Sequence, residues 1–318
     1  VRGGLNGIQA AGIYSSVDGE LKGAQISGVW NGAGAVSFLQ AAGVFNEAEG
    51  DVVGFQSAGV FNSAGGSVTG GQSAGVFNTA EDVIGIQASG VFNTAANVDG
   101  IQASGVFNVA RDVRGVQAGL LNFGGKVYGL QVGLVNISEE LHGVPLGLIN
   151  ISGNGLNDFS AWYTDTGFFN LGYQLGTSSV YTFLNMGVSG AAVNQAASFG
   201  LGMGFELVSD LFYLDVDVYS KSYSADQDTA AANFQSIFTG STEFFPALRL
   251  TTGVELFGFL SFFGGFEFDC RIYGSYEGVN FDIGPSDLTR YQAEPAVFDF
   301  NGQGALEMYP SLFFGIRL

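Results

Sequence analysis

The chain has 318 residues, of which 51 are Gly and 30 are Phe, and only 12% carry a charge. Ten Lys and Arg against 29 Asp and Glu give a formal net charge of −19, which excludes a phosphate-neutralising basic stripe and with it nucleic-acid binding. The single Cys270 excludes an internal disulfide and a thiolate metal cage, and no apolar run reaches the length of a membrane helix.

Residues 1–50 carry eroded copies of a repeat, among them the run from Gly23 to Asn31, where Trp30 stands in place of a later Phe. From Val52 to Ala110 the pattern V-x-G-x-Q-x-x-G-V-F-N-x-A is written four times, and shorter copies follow to Asn150 and Ile151. The glutamine recurs at Gln9, Gln25, Gln40, Gln56, Gln72, Gln87, Gln102, Gln117 and Gln131. The asparagine recurs at Asn31, Asn46, Asn62, Asn78, Asn93, Asn108, Asn122, Asn136 and Asn150. The period, 14 to 16 residues, is shorter than any common helical repeat, and Gly, Val and Phe at this density make poor helices. Each copy is therefore a β unit.

Two architectures generate such a unit. If Ala80-Glu81-Asp82-Val83 is a two-residue hairpin link, Phe77 falls opposite Ile86, and alternation puts Ile84, Ile86 and Phe92 on an apolar face with Gln87 and Asn93 on a wet one. A tilted strand of about thirteen residues spans roughly a bilayer core, so each copy becomes one membrane strand and residues 1–152 supply about ten of them. On that reading Ile86→Arg is costly and Gln87→Arg is tolerated. The rival is a β-solenoid with one copy per coil and stacked side-chain ladders. Its support is that the Gln-to-Asn spacing drops by one residue at Gln117 to Asn122. A solenoid corner absorbs such a deletion, whereas in a flat strand it reverses every later side chain unless a bulge absorbs it.

From Asn157 the repeat gives way to strands expected near 158–165, 167–176, 179–189, 197–208, 211–224, 245–256, 258–273 and 307–318. Long connections around 190–197, 224–244 and 273–306 alternate with short ones, as the loops and turns of outer-membrane barrels do. In Tyr213 to Tyr219, Asp215 and Asp217 share a face with the tyrosines, while Leu214, Val216 and Val218 share the other. Phe266 to Ile272 splits in the same way around Glu267, Asp269 and Arg271. Charges at alternate positions of a greasy strand cannot face lipid, where each costs on the order of a few kcal/mol, so they face inward, with Arg249 as a further opposite charge.

The last residues, Pro310 to Leu318, alternate apolar side chains to the end and resemble the C-terminal assembly signal of Gram-negative outer-membrane β-barrels, departing from it in ending on Leu318 rather than Phe. The repeats are similar to those of bacterial surface-repeat proteins with G-x-Q-x-G-x-x-N units, over roughly the first 150 residues. The first resemblance implies the bacterial outer membrane and the second the cell surface. The expectation is an all-β antiparallel up-and-down transmembrane barrel of about 18 strands, with a repeat region at 1–152 and barrel strands with long alternating loops at 157–318. The alternative is an N-terminal β-solenoid followed by an eight-stranded barrel.

Chemistry is sparse. His142, the only histidine, reads as a solvated turn residue with no Cys or His partner, and no triad spacing accompanies it. The pair Asp215 and Asp217 has the spacing that strand alternation alone imposes, Gly200 to Phe205 lacks the βαβ context of a nucleotide loop, and Asp226 with Asp228 is too little for Ca²⁺. No enzyme, cofactor or metal is expected. The rows of Gln72, Gln87 and Gln102 and of Asn78, Asn93 and Asn108 serve either as a polar lumen wall or as amide ladders that hold a sheet in register. The function expected is a porin-like channel for small polar or cationic solutes, or a structural barrel among other outer-membrane or surface proteins. The alternative is a surface-exposed adhesive or interaction repeat protein anchored by a small barrel. Outer-membrane lipid is a partner in both.

Overall fold

Val36, Val52, Val68, Val83, Val98, Val113 and Val127 are neighbours in one column, each pair joined in parallel register across adjacent strands. All seven are buried, and each such valine contributes about 1.5–3 kcal/mol relative to exposure. The computed structural model describes residues 2–177, 179–189, 196–208, 211–224, 229–239, 244–256, 259–276, 279–283, 295–300 and 303–318. By its contacts the chain divides into units Val1–Gly155 and Leu156–Leu318.

The first unit is a β-solenoid of about ten coils. A coil holds one long strand, such as Val52–Ala58 or Val68–Ala74, and one short strand, such as Phe61–Ala64, and the two form separate parallel stacks. The link from Ala80 to Val83 is a corner, not a hairpin, and Phe77 pairs with Phe92 rather than with Ile86. The expected barrel of about 18 strands is thereby replaced by its alternative. The shortened Gln117-to-Asn122 spacing falls at the corner, so that Gln102 still pairs with Gln117 and Asn108 with Asn122.

One column of glycines is dictated by backbone geometry. Gly54, Gly70, Gly85, Gly100 and Gly115 take φ between 130° and 140°, and a Cβ on Gly85 would stand 2.0 Å from the Gly70 carbonyl oxygen. No L side chain fits there without moving the coil beneath. Along the outside of the short strands, Phe45, Phe61, Phe77, Phe92 and Phe107 stack with centroids 4.8–4.9 Å apart, the repeat of the strands themselves.

The second unit is an antiparallel barrel of eight strands, Leu156–Thr164, Phe168–Gly176, Val180–Ser189, Ala197–Val208, Phe212–Ser224, Phe245–Leu256, Leu260–Tyr276 and Gly304–Arg317. Each pairs with the next, and the last closes on the first through Ser160 with Arg317 and Trp162 with Gly315. Two short strands, Val279–Ile283 and Ala296–Asp299, pair alongside the last residues of the seventh strand and the first residues of the eighth. A helix, Ala230–Thr239, sits between the fifth and sixth strands, and no helix among the described residues is long and apolar enough to cross a membrane.

Candidate functional site

The glutamines and asparagines of the repeat line the interior of the coil stack. Gln72, Gln87, Gln102, Asn78, Asn93 and Asn108 are at most 1% exposed, so they do not face the lumen of a barrel. Each Gln donates its Nε2 to the Oε1 of the Gln one coil earlier: Gln87 to Gln72 at 2.8 Å, Gln102 to Gln87 at 3.0 Å. Each Asn donates in the other direction, Asn78 to Asn93 at 2.9 Å and Asn93 to Asn108 at 3.1 Å. The two ladders therefore run with opposed amide dipoles.

A second amide proton crosses the interior. Asn93 Nδ2 reaches the Ala103 carbonyl at 2.8 Å, and Gln72 Nε2 reaches the Thr79 carbonyl at 3.1 Å, so the ladders fasten the long-strand stack to the short-strand stack. A buried amide left without partners costs roughly 1–3 kcal/mol, and here each rung between the ends of a ladder supplies its neighbour's partner. Pro145 occupies the ladder position after Gln131 and ends the glutamine column, since it has no side-chain amide.

The outside of the long strands is mixed, with Thr69, Asp99 and Arg114 exposed in register with Val53 and Ile84. Phe55, Ile86, Ile101 and Val144 fall in one exposed column, flanked by Val53 and Ile84. His142 lies in the strand Val135–Leu146, not in a turn, with its ring stacked on Tyr128 at 4.8 Å. The neighbouring Lys126 ammonium lies 3.1 Å from Glu140 and holds that exposed carboxyl below its usual range. Asp226 and Asp228 lie outside the described residues.

The barrel has the inverse distribution. Asp215, Asp217, Arg249, Glu267 and Asp269 point into its interior and are at most 2% exposed. Arg249 Nε lies 3.0 Å from Asp217 Oδ2, and the Asp217 Oδ1 accepts a 2.7 Å hydrogen bond from Tyr181. The guanidinium of Arg249 lies over the rings of Phe183 and Trp162, at 4.4 and 4.5 Å from their centroids, where a cation gains from the ring quadrupole. Arg317 pairs with Asp215, and Lys221 pairs with Glu267 and with Asp269 at 3.2 Å. Arg271 is placed differently: half-buried near the strand end, it grips Asp282 with two nitrogens at 2.8 and 2.9 Å.

Gly204, in the stretch from Gly200 to Phe205, makes room for this network, because the Tyr181 ring occupies the place of its Cβ. That stretch is the inner part of the strand Ala197–Val208, not a nucleotide loop. Outward, Phe159, Leu171, Met186, Val218, Phe262, Phe266, Leu312 and Phe314 are exposed. Sequence reasoning missed Lys221, Arg317, Tyr181 and the rings of Trp162 and Phe183. The signal for the two cations was present, since Lys221 keeps the alternation of Tyr219 and Tyr223, and Arg317 that of Phe313 and Gly315.

Among the described residues no group of three or more His, Cys, Asp or Glu could hold a metal ion. Compared with protein-family models, with curated proteins and with solved structures, the chain matches none.

Proposed function

We propose that the chain is an anchored interaction protein of the bacterial outer membrane, in which the eight-stranded barrel is a non-conducting anchor and the solenoid carries the binding surface. The observation that carries this reading is the complete burial of Arg249 and Asp217 in the barrel interior, beneath a belt of exposed apolar side chains. An outward apolar face and an inward charged one suit a lipid exterior and would be costly in water. Eight strands enclose an interior that side chains just fill, as Trp162, Tyr181, Phe183, Tyr219, Phe263 and Phe313 do here.

A porin-like role needs a water path past these groups, and an ion path would leave Asp215, Asp217 and Arg249 exposed rather than wholly buried. The solenoid favours recognition over chemistry. Its polar interior is consumed by its own ladders, while its outside carries a stack of Phe45, Phe61, Phe77, Phe92 and Phe107 and an exposed column that includes Phe55, Ile86 and Ile101, the kind of extended surface that repeat proteins offer to partners. No catalytic role is assigned to any residue.

The test has two parts. Purified protein inserted in a planar bilayer should give no stepwise ion current, and residues 156–318 expressed alone should fold in detergent to a heat-modifiable band. A steady conductance would replace the anchor by a channel, and failure of both the full chain and the barrel segment to insert in lipid would remove the membrane assignment.

A further inference from the structure

The first eight coils share one face, the outside of the long strands from Leu5–Ala11 to the end of Phe107–Ala118. Three rows of side chains cross it in parallel register, from Asn6 to Arg114, from Ile8 to Val116 and from Ala10 to Ala118. The second and third rows contain no charged residue. The first is charged only at Lys22, in the second coil, and at Asp99 and Arg114, in the seventh and eighth. At about 4.8 Å per coil and 3.3 Å per residue the footprint is roughly 38 by 23 Å, or about 900 Å², against about 800 Å² that each partner buries in a stable interface.

The pattern of this face is complementary to itself. A second copy, related by a two-fold axis that lies between the faces and runs parallel to the strands, can be set so that its Asp99 meets Lys22. That one choice fixes every other facing: the second coil opposes the seventh, the third the sixth and the fourth the fifth, and each row faces its own equivalent. Large side chains then meet small ones, Ile101 opposite Ala24 and Ile26 opposite Ala103. Phe38, 66% exposed in the glycine column, falls opposite Gly85. The Phe55 ring lies over Gly71 of its own chain, where a Cβ would stand 3.0 Å from it, yet it is 60% exposed and falls opposite the second copy's Gly71, so the two Phe55 rings meet at the axis. Arg114 falls opposite Asn6, and along the three rows no like charges face each other. Lys22 lies 3.2 Å from Glu20 of its own chain, but both are exposed and the ammonium stays open to a second carboxylate. Large against small is the arrangement that lets two layers interdigitate at about 10 Å, and every contact occurs twice, as a two-fold interface requires.

We propose that this face of the solenoid binds a second copy of the same chain, in a two-fold dimer whose solenoids run antiparallel, with Lys22 against Asp99 and Phe55 at the axis. This rests on the reading of the solenoid as the binding element and names its partner. The apolar rows supply the buried area, and the two Lys22–Asp99 pairs set the register, as charges at the margin of an interface do.

The experiment is the protein mass of the full chain purified in detergent, by light scattering corrected for bound detergent, which should be twice 33.1 kDa. Phe55→Asp places two carboxylates at the axis, and Asp99→Lys sets an ammonium against Lys22. Each should weaken pairing by at least about tenfold with circular dichroism unchanged, since both positions are exposed. Exchanging the charges, Lys22→Asp with Asp99→Lys, should restore the dimer, an outcome that a lipid or an unrelated protein on this face would not give. A monomeric parent overturns the proposal, as does a dimer that survives Phe55→Asp or a charge exchange no more dimeric than Asp99→Lys alone. If Phe55→Asp fails to fold, the charge variants decide. A protein that conducts or does not insert in lipid overturns the anchor and leaves this contact standing, whereas a monomer overturns the contact and leaves the anchor standing.

Discussion

Arg249 and Asp217 face each other across neighbouring barrel strands, register partners with their side chains 3.0 Å apart and both without exposure to solvent. Neither ion is soluble in that interior alone. Arg249→Ala should cost on the order of 3–5 kcal/mol, because the Asp217 carboxylate is left buried with only Tyr181 as a partner. The double change Asp217→Leu with Arg249→Met should recover most of that loss, apart from about 1–3 kcal/mol for the stranded Tyr181 hydroxyl. Urea titration of the protein in detergent, followed by tryptophan fluorescence, measures both. Equal destabilisation by the single and the double variant would refute the pairing as the source of the cost.

Phe38 is the misfit of the glycine column. It adopts φ 124° between Gly23 and Gly54, positions that carry no Cβ, and its own side chain is 66% exposed. That backbone conformation costs a non-Gly residue roughly 1–3 kcal/mol, against about 0.5–1 kcal/mol for the extra unfolded-state freedom of glycine. Phe38→Gly should therefore stabilise the chain by about 1 kcal/mol and raise Tm. Gly85→Ala should lower it by more, since its Cβ meets the Gly70 carbonyl. Differential scanning of the two variants beside the parent gives both signs in one experiment.

The stacked phenylalanines define a third measurement. Phe92 lies between Phe77 and Phe107 at 4.8 and 4.9 Å but stays partly open to solvent, so Phe92→Ala forfeits the stacking and part of the burial. The expected loss is about 2–3 kcal/mol, short of a fully buried Phe. Phe92→Leu should restore most of it, because Leu121, Val135 and Ile149 continue the same column in the later coils. Chemical denaturation of the full chain should rank the parent above Phe92→Leu, and Phe92→Leu above Phe92→Ala.

The two halves were legible to different degrees, for a physical reason. In the barrel, Asp215 and Asp217 alternate with Leu214, Val216 and Val218, and charges at alternate positions of an apolar strand were expected to face inward, where both are buried, so strands and facing could be placed closely from sequence. In the repeat, alternation identifies two faces without saying which is buried. A Gln in a single strand is a poor interior residue. A Gln above an identical Gln is a satisfied one, and that depends on parallel register, which no single copy displays. The link from Ala80 to Val83 misled because a solenoid corner and a hairpin draw on the same small and polar residues. The one-residue deletion before Asn122 pointed to the solenoid, since a corner absorbs it without disturbing Gln117 or Asn122, whereas a flat strand needs a bulge.

Ile86 and Gln87 test that inversion directly. They are adjacent, and in a channel wall Ile86 would meet lipid while Gln87 met water. In the solenoid Ile86 is 48% exposed on the outer column, and Gln87 is buried between Gln72 and Gln102. Ile86→Arg should change stability by about 0.5 kcal/mol or less, as surface substitutions do. Gln87→Arg buries an unpaired cation and should cost roughly 3–5 kcal/mol, with partial unfolding of the repeats expected. Gln87→Leu separates charge from hydrogen bonding. It keeps most of the volume but strands the Oε1 of Gln72 and an Nε2 proton of Gln102, so it should cost about 1–3 kcal/mol for each group left without a partner. Circular dichroism melts of the full chain distinguish the three. A stable Gln87→Arg protein alongside an unfolded Ile86→Arg protein would reverse the assignment of interior and exterior in every coil.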